Sequence, residues 1–159
     1  MKINEKDLLI VSCLRQNARI KLTQMSRTTR IPVSTLFDKT KLYDNGLIRK
    51  YTSLVRFENL GYHAKALITL SASKKHRQEL FELLNKNSNI NSLYKVNNGW
   101  DYIAEVIFPG IKEVENFIEE IEEKVTLKAK KILYVIDELK KEEFLANPQK
   151  AKLLRGLTR

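Results

Sequence analysis

The sequence predicts an α+β protein in which an N-terminal three-helix helix-turn-helix domain is joined to a C-terminal βαββαβ, ferredoxin-like domain. Apolar residues recur at helical spacing up to about residue 46. Further along, four strand-like apolar runs and two amphipathic helical runs follow in the order βαββαβ. The expected parts are a head at residues 1–50, an extended linker at 51–62, a body at 63–146 and a basic tail at 147–159.

Two short helices are expected at the start of the chain. The first covers residues 5–17, where apolar side chains repeat with a helical period. Asn4 is placed to cap its start, with Asp7 as the acid of a capping box. Cys13 lies within the apolar pattern and is expected to be a buried small hydrophobe. The second helix is expected over residues 22–29.

A third helix is expected to begin at Pro32, because proline fits the first helical turn, where its missing N–H is no loss. It runs to about Tyr43, and Gly46 is suited to a left-handed position after its end. The residues expected to face the core are Leu36, Thr40 and Leu42.

The body is predicted from apolar runs separated by turn signals. Asn97-Asn98-Gly99 indicates a tight hairpin turn, and Pro109-Gly110 breaks the chain before a helix. The strands are expected at residues 64–71, 90–96, 100–108 and 130–136, the helices at 77–87 and 112–124, and a further short helix near 142–145.

The positive charge of the chain is unevenly distributed. Residues 1–60 contain 12 Lys and Arg against 5 Asp and Glu, residues 61–149 contain 13 against 14, and residues 150–159 contain 4 against none. Charge concentrated at one end favours a polyanionic partner, nucleic acid before membrane. A lysine-rich surface that serves solubility is the alternative explanation.

The composition, 43% apolar and 30% charged, is typical of a soluble globular protein. No stretch approaches the roughly 18 apolar residues of a membrane span, and the first residues are too charged for a signal peptide, so a cytoplasmic address is expected. Because Cys13 is the only cysteine, an intramolecular disulfide and a cysteine-based zinc site are excluded.

Catalytic and cofactor motifs are missing from the sequence. His63 and His76 lie on different predicted elements, so structural roles are favoured over metal binding. The glutamates of the helix at 112–124 are expected on its solvent face. There is no glycine-rich phosphate loop or nucleophile motif, and the chain is therefore expected to be neither an enzyme nor the holder of a cofactor.

The three helices of the head suit a reader of double-stranded DNA. In a helix-turn-helix, the third helix enters the major groove while the second meets the DNA backbone. Ser34 and Thr35 suit bonds to bases or phosphate, and Lys39 and Lys41 suit phosphate neutralisation. The alternative is that a basic three-helix unit binds another protein.

Other side chains of the head extend this interface. Val33 or Phe37 suits contact with thymine methyl groups. Asp38 suits a cytosine amino group, or is simply solvated. The further DNA-binding candidates are Gln24, Arg27, Arg49 and Lys50, and the wider set of flanking cations includes Arg15, Arg19, Lys21 and Arg30.

Several motifs in succession resemble one family, the Lrp/AsnC or feast/famine transcription regulators. The resemblance covers nearly the whole chain and implies that the third helix reads DNA and that the body is a RAM-type domain that regulates and oligomerises. Lys39 stands where the family usually has an arginine; it keeps the charge but loses the planar fork. The motifs are Asn17-Ala18-Arg19-Ile20, Ile31-Pro32-Val33-Ser34-Thr35, Leu42, Gly46-Leu47-Ile48-Arg49-Lys50-Tyr51, Leu60-Gly61-Tyr62, Trp100-Asp101-Tyr102 and Tyr134-Val135-Ile136.

The sheet of the body is expected to mediate dimerisation. Both helices of the βαββαβ unit lie on one face, so a second copy can cover the other. Two heads related by a two-fold axis then prefer a pseudo-palindromic DNA site. The resemblance extends the assembly to tetramers and octamers.

The turn before the third strand is a candidate site for an amino-acid effector. Family members that bind amino acids have a glycine three residues before the aspartate, whereas this chain has Asn98 there and Gly99 one residue later. Asp101 suits an amino group of the effector. Two interpretations remain open: Asn98, Gly99, Trp100 and Asp101 bind an effector, or they only build the hairpin.

Two other functions are compatible with parts of the sequence. One is an architectural DNA-binding protein that tolerates any sequence. The other is suggested by relatives of the family that decarboxylate haem precursors with histidines near the tetrapyrrole. Only His63 and His76 could serve such chemistry here, and the basic head favours DNA instead.

Overall fold

The computed structural model describes residues 3–151. The chain divides into two compact units, which we call the head unit and the body unit. The head unit comprises the residues up to Leu54 together with those from Leu139 onward, and the body unit comprises Val55–Glu138. Residues 139–146, which were expected in the body, group with the head unit.

Three helices form the main part of the head unit. They enclose an apolar core, and α1 begins with the predicted capping box: the Asn4 side chain accepts the Asp7 N–H at 3.1 Å, and the Asp7 carboxylate accepts the Asn4 N–H at 2.8 Å. The helices are α1 (Glu5–Gln16), α2 (Leu22–Thr29) and α3 (Val33–Asp44). The fully or nearly buried apolar residues are Ile10, Cys13, Met25, Ile31, Leu36 and Tyr43.

The inner side of α3 differs from the expectation in one residue. Leu42 is 49% exposed, and Tyr43 is the buried residue instead. Seven residues make almost two full helical turns, so Tyr43 lies above Leu36, whereas Leu42 points away from it. The prediction of Leu42 as a core residue was therefore wrong, and Thr40 is half-buried.

The end of α3 also differs from the prediction. Gly46 does not adopt a left-handed conformation. Instead, the N–H groups of Gly46, Leu47 and Ile48 all donate to the carbonyl of Tyr43, at 2.9 to 3.2 Å. These bonds satisfy the Tyr43 carbonyl without a residue of positive φ, and the Asn45 N–H donates to the Leu42 carbonyl at 3.3 Å. In the predicted extended linker, Phe57–Leu60 forms a turn of 3-10 helix that ends at Gly61.

The body unit has the predicted βαββαβ order. Its four strands form an antiparallel sheet with the spatial order β2-β3-β1-β4. β4 begins three residues earlier than expected, because Leu127 pairs with Ala72 across a register shift. The elements are β1 (Ala64–Ala72), α4 (Arg77–Lys86), β2 (Ile90–Lys95), β3 (Tyr102–Phe108), α5 (Ile111–Lys124) and β4 (Leu127–Tyr134).

One face of the sheet carries the core of the body unit. Strand residues alternate between faces, and the buried apolar positions of β1 are Ala64, Ala66, Ile68, Leu70 and Ala72. The helices α4 and α5 cover this face with the buried side chains Leu80, Leu84, Val114, Phe117, Ile118 and Ile121. Both helices of the body unit pack on this face, so neither of them covers the opposite face.

The segment after β4 differs most from its prediction. The helix expected near residues 142–145 is not formed, because Glu142 and Leu145 have left-handed φ angles of 51° and 59°, which a right-handed helix cannot include. A short helix, α6, forms later at Pro148–Ala151. Most of the predicted basic tail, residues 152–159, lies outside the described residues. No helix in the described range is long and apolar enough to cross a membrane.

Candidate nucleic-acid interface

The outer side of α3 presents most of the side chains that were predicted to read DNA. Successive residues of a helix are separated by about 100°. With Leu36 and Tyr43 on the inner side, Ser34, Asp38 and Lys41 lie roughly opposite, and all three are exposed. Val33, Thr35 and Phe37, also exposed, flank this outer side.

Phe37 and Lys41 form a pair on the outer side of α3. The Lys41 ammonium lies 4.4 Å from the centroid of the Phe37 ring, within cation–π distance. The ring is 47% exposed although it is large and apolar. This pair therefore combines an apolar surface with a positive charge, as a thymine methyl group beside a phosphate would require.

The basic residues next to α3 lie in solvent as expected. Gln24 and Arg27 are exposed on α2, whose Met25 packs into the head core. Arg49 and Lys50 are exposed in the segment after α3.

Tyr51 follows these two cations and holds their segment near the end of α3. Its hydroxyl donates to Asp44 at 2.8 Å. Burial, together with the bond to Asp44 and the charge of Asp44, raises the pKa of Tyr51 to about 12. The Tyr51 hydroxyl therefore remains protonated at neutral pH and can donate this bond.

Lys39 has a partner that the sequence analysis missed. Its ammonium donates to the Asp7 carboxylate at 2.8 Å, and the Tyr43 hydroxyl donates to the same oxygen at 2.5 Å. Asp7 is fully buried, whereas the Lys39 side chain is 29% exposed. We call Asp7, Lys39 and Tyr43 the α1–α3 cluster.

The charge state of the cluster follows from its contacts. Burial raises the pKa of Asp7, but the hydrogen bonds from Lys39, Tyr43 and the Asn4 backbone, with the charge of Lys39, outweigh burial and lower it overall. Burial, then the bond to Asp7 and its charge, raises the pKa of Tyr43. At neutral pH the cluster is therefore an ionised carboxylate held by a cation and a neutral phenol.

The cluster was hard to find in the sequence. A signal was present in the spacing of Lys39 and Tyr43, which puts both on one side of a helix. Asp7 was explained by the capping box alone, and nothing in the sequence joined it to residues more than thirty positions away.

Arg15 is another flanking cation that has an internal partner. Its guanidinium donates to the Phe144 carbonyl at 2.5 Å and to the Glu142 carbonyl at 2.9 Å, and pairs with the Glu142 carboxylate at 2.8 Å. These bonds join α1 to the segment before α6, within the head unit. Arg15 therefore binds residues of its own chain, whereas Arg27 and Lys50 have exposed side chains.

The turn predicted as a candidate effector site forms the expected hairpin. Asn98 and Gly99 have φ angles of 59° and 90°, the positive pair of a type I′ turn. The Asp101 carboxylate accepts the Ala72 N–H and pairs with Arg77, both at 2.9 Å. Both carboxylate oxygens therefore already have partners in the body unit, and Trp100 is half-buried.

Among residues 3–151, no group of three or more His, Cys, Asp or Glu side chains is arranged so that it could hold a metal ion. His76 instead accepts the Thr126 N–H through Nδ1 at 3.2 Å.

Sequence comparison finds relatives among archaeal regulators, while no family model matches the chain. An HTH-type transcriptional regulator of Pyrococcus abyssi is 24% identical over 147 residues, which is 92% of this chain and 99% of the relative. The HTH-type transcriptional regulator FL11 of Pyrococcus furiosus is 25% identical over 118 residues, which is 74% of this chain and 78% of the relative.

Structure comparison finds the same fold in solved regulators. LrpC of Bacillus subtilis superposes with a TM-score of 0.80 at 17% identity, over 88% of this chain and 99% of that one. AsnC of Escherichia coli gives 0.76 at 18%, over 87% and 95%. A transcriptional regulator of Neisseria meningitidis in complex with L-Met gives 0.79 at 20%, over 87% and 93%. The resemblance and the predicted fold are thereby confirmed: the chain is similar in sequence to HTH-type transcriptional regulators and in fold to LrpC and AsnC.

Proposed function

We propose that this chain is a sequence-specific DNA-binding transcription regulator whose α3 enters the major groove. The observation that carries the proposal is the outer side of α3, where Ser34, Asp38 and Lys41 are exposed together on a helix whose inner side is anchored in the head core. A helix presented in this way is the reading element of a helix-turn-helix. The regulators found among its relatives favour a non-enzymatic role.

The side chains around α3 divide into base readers and phosphate contacts. Ser34, Thr35 and Asp38 carry hydrogen-bonding groups for base edges, and Phe37 and Val33 carry apolar surface for thymine methyls. The cations with exposed positions are the phosphate contacts: Arg27, Lys41, Arg49 and Lys50, with Gln24 as a polar contact on α2. A DNA-binding role requires the compartment that holds the DNA, and the cytoplasmic address remains a prediction.

A second copy of the chain is the partner we propose for the open face of the sheet. Leu67 and Leu133 are cross-strand neighbours on that face, and both are exposed. Tyr94, opposite Ile103 on the same face, is exposed as well. Covering this stripe, in which Leu67, Leu133 and Tyr94 lie among the polar Thr69, Glu105 and Lys131, would give a two-fold dimer with two reading helices.

Sedimentation tests the dimer through this stripe. The variant Leu67→Glu places a charge in the proposed interface and should shift the protein from dimer to monomer. Lys75→Glu, on the exposed turn before α4, is the control and should sediment as the wild type does. A wild-type protein that is monomeric at micromolar concentration would contradict the proposal.

An amino acid is the effector class we propose, since a regulator of the same fold is in complex with L-Met. The exposed turn residues Asn98 and Gly99 offer polar backbone, with Trp100 beside them. Asp101 would meet the amino group only in competition with Arg77, because the two are paired. Selection of random double-stranded DNA in the presence and absence of a mixture of amino acids tests whether an amino acid changes DNA binding.

Selection from random double-stranded oligonucleotides, at about physiological salt, tests the DNA-binding role. We expect enrichment of a motif with two-fold symmetry. Retention of DNA without an enriched motif would indicate a sequence-tolerant architectural protein instead. A protein that retains no DNA would refute DNA binding altogether. The variant Lys41→Met should weaken retention, and the matched control Lys75→Met, in the body unit, should not.

A further inference from the structure

We propose that Lys39 is a positioning residue of the reading helix, and that with Tyr43 and Asp7 it fixes the rotation of α3 about its axis. The inference rests on the proposed function, because it concerns how the same helix is presented to DNA. It assigns to Lys39 a role different from the phosphate contact that its place on α3 suggests.

Three hydrogen bonds meet at the Asp7 carboxylate. One carboxylate oxygen accepts the Lys39 ammonium and the Tyr43 hydroxyl, at 2.8 and 2.5 Å, and the other accepts the Asn4 N–H at 2.8 Å. The carboxylate is fully buried and is fixed at the start of α1 by the capping box. It is therefore a rigid point from which α3 can be held.

The two donors from α3 to Asp7 are spaced by about one helical turn. Lys39 and Tyr43 are four residues apart, so they lie on successive turns along one side of α3. The packing of Leu36 in the head core holds α3 against the unit, and a single bond would add only one restraint to it. Two bonds from successive turns to one fixed oxygen restrain both the sliding of α3 along its axis and its rotation.

Rotation of α3 about its axis would displace the side chains on its outer side. Side-chain ends lie about 5 to 6 Å from a helix axis, so a rotation of about 20° moves them by about 2 Å. Such a displacement breaks a hydrogen bond, whose length is defined within a few tenths of an ångström. Ser34 and Asp38 would then miss the base edges that they meet in the native rotation.

Lys39 would lose its ion pair with Asp7 if its side chain turned toward DNA. If its ammonium left Asp7 for a phosphate, a buried carboxylate would be left without its cation, which is strongly unfavourable. Lys41 has no such restraint, since its ammonium lies over the exposed ring of Phe37. The two lysines of α3, two positions apart, should therefore affect DNA binding differently.

The dependence of DNA affinity on salt separates the two roles. Each phosphate contact contributes about 0.9 to the slope of log affinity against log salt concentration. We expect Lys41→Met to lower the magnitude of this slope by about 1.8, because the proposed dimer carries two copies of Lys41. We expect Lys39→Met to keep the wild-type slope and to lower the preference for the enriched motif over random DNA by at least about tenfold, the effect of one misread base pair.

Two companion variants keep the inference falsifiable. Tyr43→Phe removes one bond to Asp7 without changing charge, and it should share the signature of Lys39→Met: unchanged slope and lowered preference. Lys39→Arg retains a cation for Asp7 and should restore much of the preference. Thermal unfolding followed by circular dichroism shows that each variant is folded, and only folded variants are compared.

The outcomes are distinct for the two proposals. A wild-type protein without preference for any motif would overturn the proposed function and this inference with it. A wild-type protein with a clear preference, together with a Lys39→Met variant that loses about 1.8 of slope and keeps that preference, would overturn the inference alone. Lowered preference with unchanged slope in both Lys39→Met and Tyr43→Phe supports it.

Discussion

Replacing Asp7 by asparagine should destabilise the head unit by about 3 kcal/mol, and the contacts of Asp7 give this magnitude. The ion pair with Lys39 is lost and only a weaker bond from its ammonium to the amide oxygen can form, which costs about 2 kcal/mol because bonds to charged groups contribute about 1.5 to 3. The asparagine amide can accept from Tyr43 through its oxygen, but its NH2 group then faces the Asn4 N–H, and loss of that capping bond costs about 1 kcal/mol.

Urea unfolding followed by circular dichroism measures this loss. Asp38→Asn is the matched control, because Asp38 is an exposed carboxylate of the same head unit, and its removal should change the free energy of unfolding by less than about 0.5 kcal/mol. Asp7→Ala should destabilise more than Asp7→Asn, because it leaves the buried Tyr43 hydroxyl without an acceptor. An Asp7→Asn variant as stable as the wild type would refute the reasoning.

The same pair of proteins gives a pH dependence whose sign is fixed. The folded pKa of Asp7 lies below the ordinary value of 3.8, so its stabilisation is complete well above that pH and is lost as the pH falls through the folded value. The stability difference between the wild type and Asp7→Asn should be constant from about pH 7 to pH 5 and should shrink below about pH 4. A difference that grows on acidification would show that Asp7 is not held as an anion.

Three further variants test other parts of the structure. Ser12→Ala should raise the free energy of unfolding by about 1 kcal/mol, because the buried Ser12 hydroxyl has no hydrogen-bond partner among the described residues; a loss in a urea titration would contradict this. Arg15→Met should release the segment that carries Glu142 and speed tryptic cleavage after Lys140 several-fold, and an unchanged rate would show that Arg15 does not hold it. Replacing thymine by uracil in the enriched motif should weaken the wild type by about 1 kcal/mol and leave Phe37→Ala unaffected in a binding titration; an equal loss in both would remove Phe37 from base reading.

Local signals in the sequence accounted for the larger features of the fold. The capping box at Asn4 and Asp7 and the Asn98-Gly99 turn depend on neighbouring residues, and both were predicted and are present. The alternation of strands and helices in the body likewise follows from patterns within each segment. These features need no knowledge of distant contacts.

Contacts between distant residues explain what the sequence did not show. Tyr43 is buried in place of Leu42 because its hydroxyl finds Asp7, so a polar group becomes compatible with the core. Lys39 belongs by its type to a solvated surface, and only the position of α1 turns it inward. The predicted helix at residues 142–145 was lost to a segment of irregular backbone held by Arg15.

The separation of the two sides of α3 has a consequence for how binding specificity could be changed. The bonds of the α1–α3 cluster leave the inner side of the helix, and none of them goes to Ser34, Asp38 or Lys41. The outer residues can therefore be replaced to recognise a different DNA sequence while α3 keeps its position in the head unit. Asp7, Lys39 and Tyr43, by contrast, would have to be exchanged as a set. In a library designed to change the DNA sequence that this chain is proposed to bind, the first three positions are the ones to randomise and the second three are the ones to hold constant.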